Sequence, residues 1–460
     1  MPFDIRNKNY NTEEENLFLD TICGEAVLLD SYPPESYSKF NVKRGLRNAD
    51  GTGVVVGMTR VGDVRGYHTE DGEKIPDEGR LYYRGYDVYD IVNNAAAEGR
   101  FGYEECCYLL LTGKLPTADE LSEFNSYIGA HRQLPYGFTE DMIMKAPSRN
   151  LMNKLARSVM ASYSYDENPD DTSIRNVFRQ SLNLIAQAPT MAAYAYQAKS
   201  HYYDGNSLVI HSPRNDLSTA ENILYMLRPD CNYTRQEAET LDLCLMLHAE
   251  HGGGNNSTFT IRVVSSTGTD TYAAVTSAIN SLKGPKHGGA NFQCMAMLDD
   301  IKEHVSDITD EDQIFDYLVK ILNREAFDRT GLIYGMGHAV YTLSDPRAVM
   351  IKDKAEELAQ ATGRMKEWKF ISSVEKLAPF AYKEAKGVDR IMCANVDMYS
   401  GFVYTMLGIP PELFTPIFAV SRLPGWCAHR IEEINVDPRI IRPAYKNVGG
   451  IRRYVNIDAR

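Results

Sequence analysis

Three short segments hold the residues best suited to chemistry: Leu247-His248-Ala249-Glu250-His251-Gly252-Gly253-Gly254-Asn255, Gly284-Pro285-Lys286-His287-Gly288-Gly289-Ala290-Asn291 and Gly335-Met336-Gly337-His338-Ala339-Val340-Tyr341. Four of the ten histidines fall in them. A histidine flanked by glycines is poorly explained as core filling, because glycine lets backbone or ligand approach closely. Read singly, each is equally well a cap or a turn residue. His287 follows a Gly-Pro turn that is expected to open a helix, where free N–H groups and the helix dipole disfavour an imidazolium. A neutral imidazole at that point can donate a hydrogen bond to a developing oxyanion.

Asp397 lies in Asn395-Val396-Asp397-Met398-Tyr399-Ser400-Gly401. Between apolar neighbours its carboxyl is open to burial, which raises a carboxyl pKa into the range of a working base. The competing reading is a helix-capping aspartate. Arg347 after Asp345-Pro346, Arg422 in Ser421-Arg422-Leu423-Pro424-Gly425-Trp426, and Arg442 before Pro443 carry the planar fork that grips carboxylates in pairs of hydrogen bonds. Most arginines are solvated surface charges, so these need something to bring them together. A metal is not expected. His248 and His251 are three residues apart near Glu250, but the H-E-x-x-H order is absent and no second His/Cys pair has zinc-like spacing. No phosphate loop and no G-x-G-x-x-G after a strand supports nucleotide hydrolysis or nicotinamide binding.

The elements that must position these groups are mostly helical. Apolar residues Leu17, Phe18, Ile22, Ala26 and Leu29 recur at helical spacing within residues 11–31. From about Leu46 to Arg84, β-branched runs such as Val54-Val55-Val56 alternate with Gly, Asp and Pro and predict strands and hairpins. Beyond Tyr86 the spacing predicts helices over 103–111, 118–131, 150–163, 174–203, 235–248, 272–283, 287–301, 310–325, 346–361 and 366–384, with Pro189 kinking or dividing the fourth. The fold class is therefore all-α and multihelical, with a small β region near the N-terminus. No linker separates two halves, so a two-domain chain would cross between them more than once, near the glycines at about 252, 284, 335 and 401.

A chain of 460 residues exceeds one hydrophobic core, and 43% hydrophobic with 24% charged residues is ordinary for a globular protein. A net charge of −13 argues against a nucleic-acid binder, while local arginines can still hold small anions. The eight cysteines are scattered without a C-x-x-C pair, which reads as reduced core thiols. The first fifteen residues lack the basic start and apolar block of a secretory signal, and no apolar run approaches the roughly 20 residues that cross a bilayer. A cytoplasmic location without membrane attachment is expected.

In this order and spacing, the segments resemble those of citrate synthases. The resemblance runs from about Leu46 to the carboxyl end and includes Leu81-Tyr82-Tyr83-Arg84-Gly85-Tyr86-Asp87, Leu111-Thr112-Gly113-Lys114-Leu115-Pro116-Thr117 and the block from Ser421 to Glu433. It implies condensation of acetyl-CoA with oxaloacetate and water to give citrate and CoA, with acetyl-CoA as substrate and no cofactor. By resemblance, His287 stabilises the enol of the thioester, Asp397 removes the methyl proton, and His338 polarises the keto group. His251, Arg347 and Arg422 hold the dicarboxylate, and Arg442 reaches across the interface of a homodimer. The implied architecture is a large domain of 1–287 and 408–460 and a small domain of 288–407 around a cleft. One departure concerns CoA: Thr342 stands where many relatives carry a basic residue that contacts its phosphates, with Lys286, Lys352 and Lys354 as candidate substitutes. The segment from Gly66 to Gly79 looks longer than its counterpart and has no assigned role. A 2-methylcitrate synthase using propionyl-CoA is the nearest alternative, and a non-catalytic oxaloacetate- or CoA-sensing homologue is the alternative of another class.

Overall fold

The computed structural model describes residues 12–29, 32–48, 51–70, 73–436 and 439–460. It divides into two compact units, Met1–Gly57 with Arg442–Arg460, and Met58–Ile441. In the first, helix α1 (Glu13–Leu29) opens on three glutamates that complement its dipole. Thr12 and Glu15 exchange side-chain-to-backbone hydrogen bonds of 3.1 and 2.7 Å across its first turn, a reciprocal cap. A short helix α2 (Glu35–Lys39) follows. The predicted strand at Val54–Val56 does not form, and Val55 is 90% exposed. β-branching favours a strand only where a partner and a face to bury exist.

The second unit begins with an antiparallel hairpin, β1 (Gly62–Glu70) and β2 (Glu73–Tyr83), extended by β3 (Tyr86–Asp87). No strand follows among the described residues. Helices α3 (Val88–Ala97), α4 (Tyr103–Thr112), α5 (Ala118–Ala130), α6 (Leu151–Ala161), α7 (Ile174–Asp204), α8 (Thr219–Leu227), α9 (Arg235–His248), α10 (Asn256–Ser265) and α11 (Thr271–Leu282) come next. After these come α12 (Ala290–His304), α13 (Glu311–Leu322), α14 (Pro346–Ala361), α15 (Met365–Lys386), α16 (Asp397–Met406) and α17 (Phe414–Val436). Thr117, Ser218 and Thr234, each three residues before a glutamate, form complete capping boxes that start α5, α8 and α9. The fold is all-α with one small sheet.

Two expectations change. Helix α7 runs undivided through Pro189, which is buried along with most of that stretch. Packing on both sides of the helix there offsets the lost backbone hydrogen bond. Helix α12 begins at Ala290 rather than His287, leaving His287 in the turn ahead of it. The long α17 packs on α4, α7, α9, α10 and α11 and carries buried Arg422, His429 and Arg430 through the centre of the unit. Arg430 is satisfied there by Thr271 Oγ1, Ser265 Oγ and the Thr269 carbonyl. No described helix is long and apolar enough to cross a membrane.

Candidate active site

The turns and helix ends bring His251, His287, His338, Asp397, Arg347 and Arg422 together within the second unit. The His251 and His338 rings meet edge to face with centroids 5.1 Å apart, and Tyr341 stacks on His338 at 4.5 Å. Burial lowers the proton affinity of all three histidines, with the nearby arginines adding to the effect. His287 and His338 are held near 4, so both rings are neutral at neutral pH. Burial, and then Arg422, lower the proton affinity of His287.

Hydrogen bonds decide what each ring can do. His338 Nδ1 accepts from the backbone N–H of Val340 at 3.1 Å and of Tyr341 at 3.0 Å. The neutral ring therefore carries its proton on Nε2, where it is available as a donor. The turn holding His338 is pinned to the segment before α16: Gly337 N donates to the Cys393 carbonyl at 2.7 Å, and Asn395 Nδ2 donates to the Gly337 carbonyl at 2.9 Å. Gly335, at φ +82°, makes this close approach possible; a Cβ there would lie 2.7 Å from Cys294 Sγ and 3.2 Å from Met398 Cα. His287 Nε2 lies 3.1 Å from both Asn255 Oδ1 and Ser257 Oγ. Trp426 Nε1 donates to the same Ser257 oxygen at 3.1 Å, and Ser257 Oγ itself donates to Asn255 Oδ1 at 2.8 Å.

Asp397 is the first residue of α16 and does not cap it, since the N-cap is Val396 and makes no side-chain cap bond. The capping reading is set aside. Burial pushes its carboxyl up to about 6, against the opposing pull of Arg347. Asp345 caps α14 through the Arg347 N–H at 3.0 Å and grips the Arg347 guanidinium with two bonds, at 3.0 and 2.7 Å. The pair is buried, and Asp345 raises the pKa of Arg347. An N-cap Asp followed by Pro at the first helical position is a helix-start signal readable in the sequence, though its use as a clamp on Arg347 is not.

Arg422 is the informative group. It is fully buried, and its Nε donates to the His248 carbonyl, yet Nη1 and Nη2 have no partner among the described residues. The Nε2 atom of His251 is likewise buried and unpartnered. Burying an unpaired guanidinium costs several kcal/mol, so a fork left open in this way marks a place for an anion. Burial drags its pKa down to about 10, which still leaves it charged.

The family model described as "Citrate synthase, C-terminal domain" matches residues 49–444. The chain belongs to the citrate synthase family. Citrate synthase of Haloferax volcanii is 37% identical over 413 residues, covering 89% of this chain and 96% of that protein. Citrate synthase of Deinococcus radiodurans is 38% identical over 363 residues, covering 78% and 88%. Among solved structures, citrate synthase of Pyrobaculum aerophilum matches with a TM-score of 0.70 at 30% identity, covering 88% of this chain and 93% of that one. Citrate synthase of the thermophilic archaeon Thermoplasma acidophilum, a ternary complex with carboxymethyl coenzyme A and oxaloacetate, matches with a TM-score of 0.73 at 27% identity, covering 90% and 98%. Members of this family are acyltransferases, and so is this chain.

Arg442 belongs to the first unit and is exposed there. Thr342 is half-buried, four residues after His338. Of the three candidate lysines, Lys352 pairs with Glu375 and Lys354 with Glu357, each at 2.6 Å, while Lys286 is exposed beside His287. Sequence reasoning missed Asp345, Asn255, Ser257 and Tyr341 as parts of the site. Asn255 ends the first Gly-His segment, but its contact with His287 joins residues 32 positions apart and has no local signal.

Proposed function

We propose that the chain condenses acetyl-CoA with oxaloacetate and water to give citrate and CoA. The observation that carries this reading is the open Arg422 fork set among neutral histidines and a carboxyl titrating near 6. Arg422, Arg347 and His251 bind the two carboxylates of oxaloacetate. The Asp397 carboxylate takes a proton from the acyl methyl, and the C–H electrons form the enol C=C as the thioester oxygen gains charge. His287 stabilises that oxygen as a hydrogen-bond donor. The enol carbon then attacks the keto carbon, a C–C bond forms, and the keto oxygen becomes an alkoxide stabilised by the His338 Nε2–H. Water cleaves the resulting thioester, releasing citrate and the CoA thiol.

The same reading divides the enzyme into a large domain of 1–287 and 408–460 and a small domain of 288–407. The packing of α12 to α16 chiefly on one another supports the division. The reading also places the enzyme in the cytosol as a homodimer, with Arg442 lent to the partner's site. Lys286, with no carboxylate bound to it among the described residues, is the cation we assign to the CoA phosphates in place of Thr342. Lys286→Ala should raise the acetyl-CoA KM by roughly fivefold, in keeping with an exposed charge pair, and leave the oxaloacetate KM alone. An unchanged acetyl-CoA KM would remove Lys286 from the site.

Acetyl-CoA and propionyl-CoA differ by one methylene, worth about 1–3 kcal/mol in an apolar pocket. Supplying both with oxaloacetate and weighing the products by mass spectrometry tests the choice. Predominant citrate is expected. Predominant 2-methylcitrate would transfer the assignment to the propionyl enzyme, and the absence of both products would refute condensation.

A further inference from the structure

Glu250, His429 and Arg262 form a buried chain that the proposed reaction does not use. Glu250 Oε1 accepts from His429 Nε2 at 2.8 Å and from the Gly252 N–H at 2.5 Å. His429 Nδ1 accepts from Arg262 Nε at 3.1 Å and Nη2 at 2.6 Å. Arg262 in turn pairs with Glu432 and, at 2.8 Å, with Glu433. Because a guanidinium can only donate, His429 Nδ1 is bare and its one ring proton sits on Nε2, directed at Glu250. The chain thus runs from a carboxylate through a neutral imidazole to a cation.

The other Glu250 oxygen, Oε2, is buried without a partner among the described residues, and so are Nη1 and Nη2 of Arg422. The two groups are close enough that each shifts the other's proton affinity. A carboxylate and a guanidinium that meet normally join by paired hydrogen bonds. They do not join here. Glu250 is confined in a slot made by two glycines: a Cβ on Gly62 of β1 would lie 2.8 Å from Oε1, and a Cβ on Gly425 of α17 would lie 2.5 Å from Oε2. The grip of His429 on Oε1, together with the Gly252 N–H, keeps the carboxylate from turning within that slot.

We propose that His429, backed by Arg262, is a positioning residue that tethers Glu250 and withholds it from Arg422. Glu250 then compensates the buried guanidinium at a distance while the fork stays open for a carboxylate of the substrate. The proposal rests on the reading that Arg422 binds oxaloacetate. Without the tether, Glu250 swings onto Arg422 and competes with substrate from within the protein. Oxaloacetate affinity falls, while His287, His338 and Asp397 keep their geometry and the rate at saturation holds.

The test measures oxaloacetate Kd by calorimetry, together with KM and kcat at saturating acetyl-CoA, on the full chain. Wild-type turnover with oxaloacetate comes first; its absence would overturn the functional reading itself rather than the tether alone. His429→Leu should raise KM and Kd about tenfold or more with kcat changed by less than about threefold, the signature of lost uniform binding. His429→Gln, which keeps a donor for Glu250 and an acceptor for Arg262, should stay within about threefold of wild type. The double variant Glu250→Gln/His429→Leu should regain affinity over His429→Leu, because a neutral amide competes poorly for a guanidinium. If His429→Leu does not fold, His429→Asn serves in its place, since it keeps the acceptor for Arg262 but falls short of Glu250; the same pattern is expected on a smaller scale. An unchanged KM, a parallel collapse of kcat, or a double variant weaker than the single one would overturn the tether.

Discussion

Replacing Asp397 by Asn should abolish condensation and at the same time stabilise the fold at alkaline pH. Burial moves the Asp397 carboxyl from 3.8 to about 6. A group whose folded pKa is raised contributes nothing unfavourable below its unfolded value, where both states hold the proton. As the pH rises through 4 and on to 6, the unfolded chain ionises first, and the folded state falls behind. At about 1.4 kcal/mol per pH unit, the full shift corresponds to roughly 3 kcal/mol lost above pH 6. The side chain is only partly buried, so solvent screening reduces this to about 1–2 kcal/mol. Asn carries no charge and escapes the penalty. Thermal unfolding followed by circular dichroism at pH 8 should therefore give a higher midpoint for Asp397→Asn than for wild type, with the difference gone near pH 4. Equal midpoints at pH 8, or a difference that persists at pH 4, would refute the view that burial raises this carboxyl.

Three further outcomes follow from the same geometry. With oxaloacetate saturating, kcat should fall about tenfold per pH unit below pH 6 as Asp397 takes up its proton, because His287 and His338 titrate only near 4; a limb centred below pH 5 would exclude Asp397 as the titrating base. Arg422→Leu should raise the oxaloacetate Kd in calorimetry by roughly 30- to 1000-fold, the 2–4 kcal/mol expected when one partner of a buried charge pair is removed, and a change under threefold would contradict the open-fork reading. Gly79→Ala places a Cβ 2.1 Å from the Ser344 carbonyl oxygen and so pushes β2 away from the segment between His338 and Arg347. It should cost about 1–3 kcal/mol in unfolding experiments and lower kcat; unaltered stability would show that the hairpin does not brace that segment.

That brace gives the hairpin a structural setting that its sequence did not reveal. Gly66 and Gly79 abut the backbone of Val340, Tyr341 and Ser344, so their lack of side chains answers to a distant loop. The helices with local signals were legible: the boxes at Thr117, Ser218 and Thr234, and the Asp345-Pro346 start of α14. Helix α17 was hidden by Pro424, Gly425 and a run of charged residues, because its polar groups are buried by tertiary partners rather than sorted onto a wet face. Val54–Val56 misled for the opposite reason, being β-branched with no neighbouring strand. In the site, the Gly-His segments and Asp397 stood out by residue type and neighbours, whereas Arg347 and Arg422 were set apart from other arginines only by the resemblance to citrate synthases. The neutrality of His287 was expected, but its cause was assigned to a helix that starts three residues later. The tether of Glu250 by His429 joins positions 179 residues apart and becomes visible only when the chain is folded.

The most direct test of the account is thiol release from acetyl-CoA by the purified chain, followed with and without oxaloacetate. Release that requires oxaloacetate and disappears in Asp397→Asn is the predicted result. Equal release without oxaloacetate, or none under either condition, would contradict condensation at this site.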